Sequence, residues 1–159
     1  MITIMYQTGE VLELNIDTLE GANFEGKDLH RIIFDGKILR DCNFSNGLLR
    51  NAAFVGADLS RAKFRGAQLI NAYFRGAILK DCDLQSAVLV GADFTSADLT
   101  GADLSNTDAR FCSFKRAVVK GARVGVLNPK AVDWEDAIYD SETIWPVGFD
   151  PTAFGLVSA

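Results

Sequence analysis

At 159 residues, 48% hydrophobic and 23% charged, the chain is long enough to bury a core and is unlike a disordered segment. Its net charge of −5 argues against nonspecific nucleic-acid binding, which needs a basic footprint, and no run of roughly 18 apolar residues is present to span a bilayer. The opening Met1-Ile2-Thr3-Ile4-Met5-Tyr6 lacks the basic and continuous apolar regions of a secretory signal, and three cysteines without a CxxC pair point to reduced thiols in the cytoplasm.

Residues 1–14 read as a β-hairpin. Ile2, Ile4 and Tyr6 alternate with Thr3, Met5 and Gln7, Thr8-Gly9 supplies turn chemistry, and Val11-Leu12-Glu13-Leu14 runs back. Its place before a run of repeats makes residues 1–16 an expected cap, because a stack of repeats exposes unpaired strand edges at its ends.

From Phe24 to Val124 a large apolar residue recurs every five positions without interruption, apart from Ala109. Two places before each of these centres stands a small residue, most often alanine, as at Ala52, Ala57, Ala62, Ala67 and Ala72. The period matches neither a helix nor a strand. A chain that points two residues inward and three outward in every five must bend at each unit, so it coils. Gly or Asn two places after many centres, as at Gly56, Gly66, Asn71 and Gly76, supplies the backbone freedom a corner needs. Phe and Leu first alternate along the column, but positions 84 and 104 become Leu while 94 and 114 stay Phe. Residues 20 apart therefore behave alike and residues 10 apart do not, which predicts four sides per coil, about five coils, and a core ladder of Phe34, Phe54, Phe74, Phe94 and Phe114. Lys27, Lys37 and Gly47 depart from the small apolar column.

Past Val124 the pattern weakens. Asn128-Pro129 predicts a loop or one helical turn, Trp134 and Tyr139 fall back into phase, and the aromatic tail Ser141–Ala159 is expected to fold over the open end. The predicted layout is a single domain, 1–159, with the repeats at 17–124 and a degenerate last coil plus irregular or short helical cap at 125–159.

Gly56-Ala57-Asp58-Leu59-Ser60 and Ser96-Ala97-Asp98-Leu99-Thr100-Gly101-Ala102-Asp103-Leu104-Ser105 resemble the A(D/N)LXX units of the pentapeptide-repeat family. The tail from Ala137 to Pro151 is similar to the ends of members from photosynthetic bacteria. The resemblance implies an all-β fold, a right-handed quadrilateral β-helix. Some members of the family mimic duplex DNA and bind type II topoisomerases such as gyrase; with one histidine and a filled core that leaves no cleft, the chain is expected not to be an enzyme.

No catalytic constellation stands out. The one histidine, His30, follows a centre and is expected to face solvent without the partners a base or ligand needs. Cys42, Cys82 and Cys112 occupy small-residue core positions, and Cys42 and Cys82 lie two coils, roughly 9.6 Å, apart on one side, beyond disulfide reach. Aspartates before the centres, such as Asp58, Asp93 and Asp98, read as local backbone acceptors rather than a metal ladder. No cofactor is expected. Arg50, Arg61, Lys63, Arg65, Arg75 and Lys80 predict a basic middle, followed by an acidic zone at 81–108 that contains no Lys or Arg. That zone is short for a DNA mimic. Apolar residues in outward columns are the stronger signal: Leu48, Ile70, Val88 and Val90 on one side, and Ile33, Val55 and Tyr73 on the next. The expected function is a rigid binding or scaffolding surface for another protein, with no membrane or direct nucleic-acid partner and with self-association as a homodimer left open.

Overall fold

The computed structural model describes residues 1–159. Its body is a square coil, built one bridge at a time by parallel pairing of residues 20 apart: Ile33, Ala53, Tyr73, Asp93, Ser113 and Asp133 form one such ladder. The period follows from the corner. Every fifth residue from Gly21 to Gly121 has a positive φ between 55° and 71°. In each corner the N–H of the next small residue donates to the centre's carbonyl, as Ala57 does to Phe54 at 3.0 Å, and a positive φ at the third turn residue is what a type II turn requires. Between corners, two backbone groups pair with the coil on either side. Phe54 N–H donates to Tyr73 O, and Tyr73 N–H donates to Ala52 O. The strand segments are so short that they count as bridges rather than extended strands.

Four sides result. Side one carries centres Phe24, Phe44, Phe64, Leu84, Leu104 and Val124; side two, Leu29, Leu49, Leu69, Leu89 and Ala109; side three, Phe34 through Phe114; side four, Leu39 through Val119. All these centres are buried. On side three the rings stack at 5.4, 5.0, 4.7 and 4.7 Å, and Trp134 extends the ladder above Phe114 at 4.8 Å. Where side one is also Phe, the two ladders meet edge to face across the core, as Phe54 does with Phe44 and Phe64. Lys27 and Lys37 hold inward positions but are exposed, because they lie in the first coil with no coil below to bury them. Gly47, directly above Lys27, is buried against Phe44 O and Lys27 O.

The chain before the coil forms β1 (Ile2–Met5) and β2 (Val11–Leu14), an antiparallel hairpin pairing Ile2 with Leu14 and turning at Gly9, φ 90°. Its end lies against side three of the first coil: Tyr6 bridges Ile32, and Ile33 N–H donates to Met5 O at 2.9 Å. The coil continues past Val124 through Asp133, Ile138 and Ile144, giving side three six rungs. Side two alone lacks its sixth rung. Pro129 falls where the next centre would stand and has no N–H to give, and a 3-10 turn, Pro129–Ala131, crosses there instead. One residue is inserted after Tyr139, so Arg123 pairs with Ile144 rather than with residue 143. Beyond it Trp145, Phe149 and Phe154 pack in sequence over Trp134, a second 3-10 turn spans Pro151–Phe154, and β4 (Val157–Ser158) pairs in parallel with β3 (Ile138–Tyr139).

Candidate interaction surface

The core is filled with apolar side chains, so any function must be read from the three outward residues of each unit. The residue before each centre is the one most often fixed by a local hydrogen bond. Where it is Asp or Asn, its Oδ1 accepts the N–H two residues on: Asp58 from Ser60 at 3.1 Å, Asp93 from Thr95 at 2.9 Å, Asp103 from Ser105 at 2.9 Å. This is the local backbone role expected of these aspartates. No group of three or more His, Cys, Asp or Glu is placed to hold a metal ion. His30 is half-exposed and its Nδ1 lies 2.5 Å from Asp28 Oδ1.

The second carboxylate oxygen faces the coil below. Arg40 reaches Asp58 at 2.6 Å, Arg65 reaches Asp83 at 3.0 Å, Arg75 reaches Asp93 at 2.8 Å and Lys80 reaches Asp98 at 3.2 Å. Each of these pairs spans 18 residues. This corrects the expectation of a basic zone followed by an acidic one. The residue after a centre rises to meet the residue before the centre one coil on, so the basic middle and the 81–108 carboxylates interleave. Asp103 and Asp108 are also paired, with Arg123 and Arg110. Burial alone would raise the Asp98 carboxyl, but hydrogen bonds from the Thr100 hydroxyl and N–H, with Lys80 beside it, outweigh that and hold it below its ordinary range. Asp93 is lowered the same way, burial being overcome by Thr95 and Arg75.

The three thiols are buried and free. Each donates to the carbonyl of a centre 23 residues back, Cys42 to Leu19, Cys82 to Leu59 and Cys112 to Leu89, all at 2.9 Å. Burial pushes the Cys42 thiol up to about 11 and the Cys112 thiol up to about 12.

The seven outward apolar residues singled out in the sequence fall on sides two and three as the period assigns them, while side four also exposes Ile38 and Ile78. Leu48, Val55 and Tyr73 are exposed, while Ile33, Ile70, Val88 and Val90 are half-buried. They are less scattered than their numbers suggest. Ala53 bridges both Ile33 and Tyr73 and is itself 93% covered, so those three make one column; Ile70 and Val90 stand on adjacent rungs. Two residues outside the expected set extend this surface. Phe111 is 75% exposed at the corner between sides two and three, and Leu127 is 60% exposed on side two one coil above. Leu127 to Ala131 line a depression of about 400 Å³ there. The signal for Phe111 is its position: it stands in the corner column, where the three coils below place Asn51, Asn71 and Gly91.

A family model for pentapeptide repeats matches in 8 copies over residues 38–76 and 77–116. Among solved structures, a pentapeptide repeat protein from Nostoc PCC 7120 shares 31% identity, covering 80% of this chain and 84% of that one, with a TM-score of 0.35. One from the Arabidopsis thaliana thylakoid lumen shares 30% identity over 72% of this chain and 69% of that one, TM-score 0.34. QnrB1, a plasmid-mediated fluoroquinolone resistance protein, shares 17% over 89% of this chain and 84% of that one, TM-score 0.34. No curated protein matches the chain. The chain belongs to the pentapeptide-repeat family, whose members are right-handed quadrilateral β-helices.

Proposed function

We propose that the protein is a non-catalytic binding or scaffolding surface for another protein, acting through side two and the adjoining part of side three, with Ile33, Leu48, Val55, Ile70, Tyr73, Val88 and Val90 at the contact. One observation carries this reading. Through coils two to four, side two presents Leu48, Ile70, Val88 and Val90 with Arg50 as its only charge, whereas sides one, three and four present carboxylates engaged by cations at the same heights. An outward β-face held rigid on both edges and left largely uncharged is suited to excluding water against a partner. The hairpin at 1–16 and the segment 125–159 act as caps on the two ends of a single unit, and the buried, unpaired thiols favour a reducing, cytoplasmic setting.

Val88→Glu combined with Val90→Glu tests the surface. The double variant should lose partner capture from native lysate, or self-association on sedimentation, while keeping its circular dichroism and unfolding midpoint. Unchanged association in both assays would remove the reading. The DNA-mimicking alternative needs a long unbroken negative face, and the 18-residue pairing neutralises the carboxylates that would make one. A gyrase supercoiling assay separates the two; inhibition by the wild-type protein would restore the alternative.

A further inference from the structure

Charge on this molecule is distributed by side. Side two, residues 27–31 and each block 20 further on to 127–131, holds five cations, Lys27, Arg31, Arg50, Arg110 and Lys130, against two carboxylates, Asp28 and Asp108. That is a surplus of three positive charges in a chain of net −5; sides one and four each sum to zero, side three to −2, and the segments at the two ends carry the rest. Both carboxylates of side two are already engaged, Asp28 by His30 and Asp108 by Arg110. Arg31, Arg50 and Lys130 enter none of the ion pairs found across the structure. They stand toward the two ends of the side, with Ile70, Val88 and Val90 between them.

Phe111 adds an independent observation. Its φ of 63° is the regular corner angle of this coil, shared with Arg31, Arg61 and Arg116, but Phe111 is the one aromatic placed at a corner. Its corner neighbours on the rungs below and above are Gly91 and Ala131, too small to cover the ring. An aromatic ring facing water at a corner contributes nothing to the fold that Gly or Asn would not, so its placement points to a role at the surface.

We infer that side two takes an acidic segment of a partner protein with an apolar centre. Its aliphatic or aromatic residues seat on Ile70, Val88, Val90 and Phe111, and its carboxylates reach Arg31 and Arg50 at one end and Lys130 at the other. This rests on the binding-surface reading and adds the partner's chemistry to it. Nucleic acid is the poorer fit, because phosphates need cations along the whole track and the middle of side two has none beyond Arg50. The distance from Arg31 to Phe111 is four coils, roughly 19 Å, which an extended chain covers in about six residues.

Selection from a displayed library of random peptides about ten residues long, followed by titration of the strongest binder, tests this. Enriched sequences should place Asp or Glu around aliphatic or aromatic residues. Affinity should fall severalfold between about 50 and 500 mM salt. Arg31→Glu, Arg50→Glu and Lys130→Glu together should weaken binding roughly tenfold or more without altering circular dichroism. Phe111→Gly should weaken binding while preserving or raising the unfolding midpoint, which a purely structural Phe111 would not do. Enrichment of basic or uncharged peptides, indifference to the triple reversal, or stronger binding to duplex DNA or to anionic vesicles would each overturn the acidic partner. If Val88→Glu with Val90→Glu still abolishes peptide binding in those cases, the surface stands and only its charge preference falls. If no peptide is enriched, or the double variant binds as wild type, both readings fall.

Discussion

Phe74→Ala tests the register that sets which residues point into the coil and which point out. Phe74 is fully buried, stacked on Phe54 at 5.0 Å and on Phe94 at 4.7 Å, both within 3° of parallel, with Phe64 edge-on at 5.9 Å. Truncation of a buried Phe costs ~3–5 kcal/mol, depending on how far the site collapses. Here collapse is restricted. The rings above and below are each held by their own coil, at a backbone spacing of about 4.8 Å that hydrogen bonds fix. The expected loss is therefore at the upper end, ~5 kcal/mol, or a fall of roughly 10–20 °C in unfolding temperature for a chain of this size. The adjacent Arg75 points outward, and its pairing with Asp93 is largely in water, so Arg75→Ala should cost ~1 kcal/mol or less. Urea titration read by far-UV circular dichroism and by fluorescence of Trp134 and Trp145 measures both variants. The two probes also reveal whether the end carrying the tryptophans unfolds separately, as solenoids can. Equal losses at 74 and 75 would refute the assignment of inward and outward columns.

The aromatic core makes a finer comparison: Phe54→Leu should cost ~1–3 kcal/mol more than Phe94→Leu, because Phe54 loses edge contacts to Phe44 and Phe64 while Phe94 faces Leu84 and Leu104, and equal urea midpoints would count against it. Cys42, Cys82 and Cys112 should resist a thiol reagent at pH 8 until denaturant is added, their burial having raised all three; fast native labelling would contradict the core placement. Because Asp98 titrates in the folded protein below its ordinary 3.8, its stabilisation is present above that pH and is lost as pH falls through the folded value. Asp98→Asn should thus lower the urea midpoint at pH 7 and match wild type near pH 2; a constant difference would show that charge is not the cause. Gly101→Ala, at φ 71° with the new Cβ only 2.3 Å from Asp81 Oδ1, should destabilise by ~1–2 kcal/mol, and Gly76→Ala, with nothing within 4 Å, by less.

Much of this architecture was legible because it is one decision repeated. The five-residue column and the switch to Leu at 84 and 104 are enough to specify four sides, and the Phe ladder they predict on side three continues unbroken into Trp134. What the column could not show lies where the period stops or turns outward. Pro129 removes one rung of side two without disturbing side three, and the residue inserted after Tyr139 shifts Trp145 over Val124; neither changes local composition. Lys27 and Lys37 look like errors in an inward column until the absence of a coil beneath them is known. Phe111 sits in the corner column, whose residue types report on backbone conformation and not on contact.

Charge was the least legible property, for a geometric reason. A window moved along the sequence finds cations from Arg50 to Lys80 and then carboxylates from Asp81 to Asp108, which suggests a rod polarised along its axis. Coiling with 20 residues per turn brings residue n beside residue n + 18, so these two populations become partners rather than zones. Among the four sides, only side two keeps a positive surplus; sides one and four balance, side three is slightly negative, and most of the net negative charge sits in the two end segments. Charge reversals should therefore divide by side and not by segment. Arg65→Glu and Lys80→Glu break pairs that face sides one and four, and should lower stability slightly without changing association through side two. Arg50→Glu, in the same basic stretch of sequence, breaks no pair, and should leave stability unchanged while weakening that association.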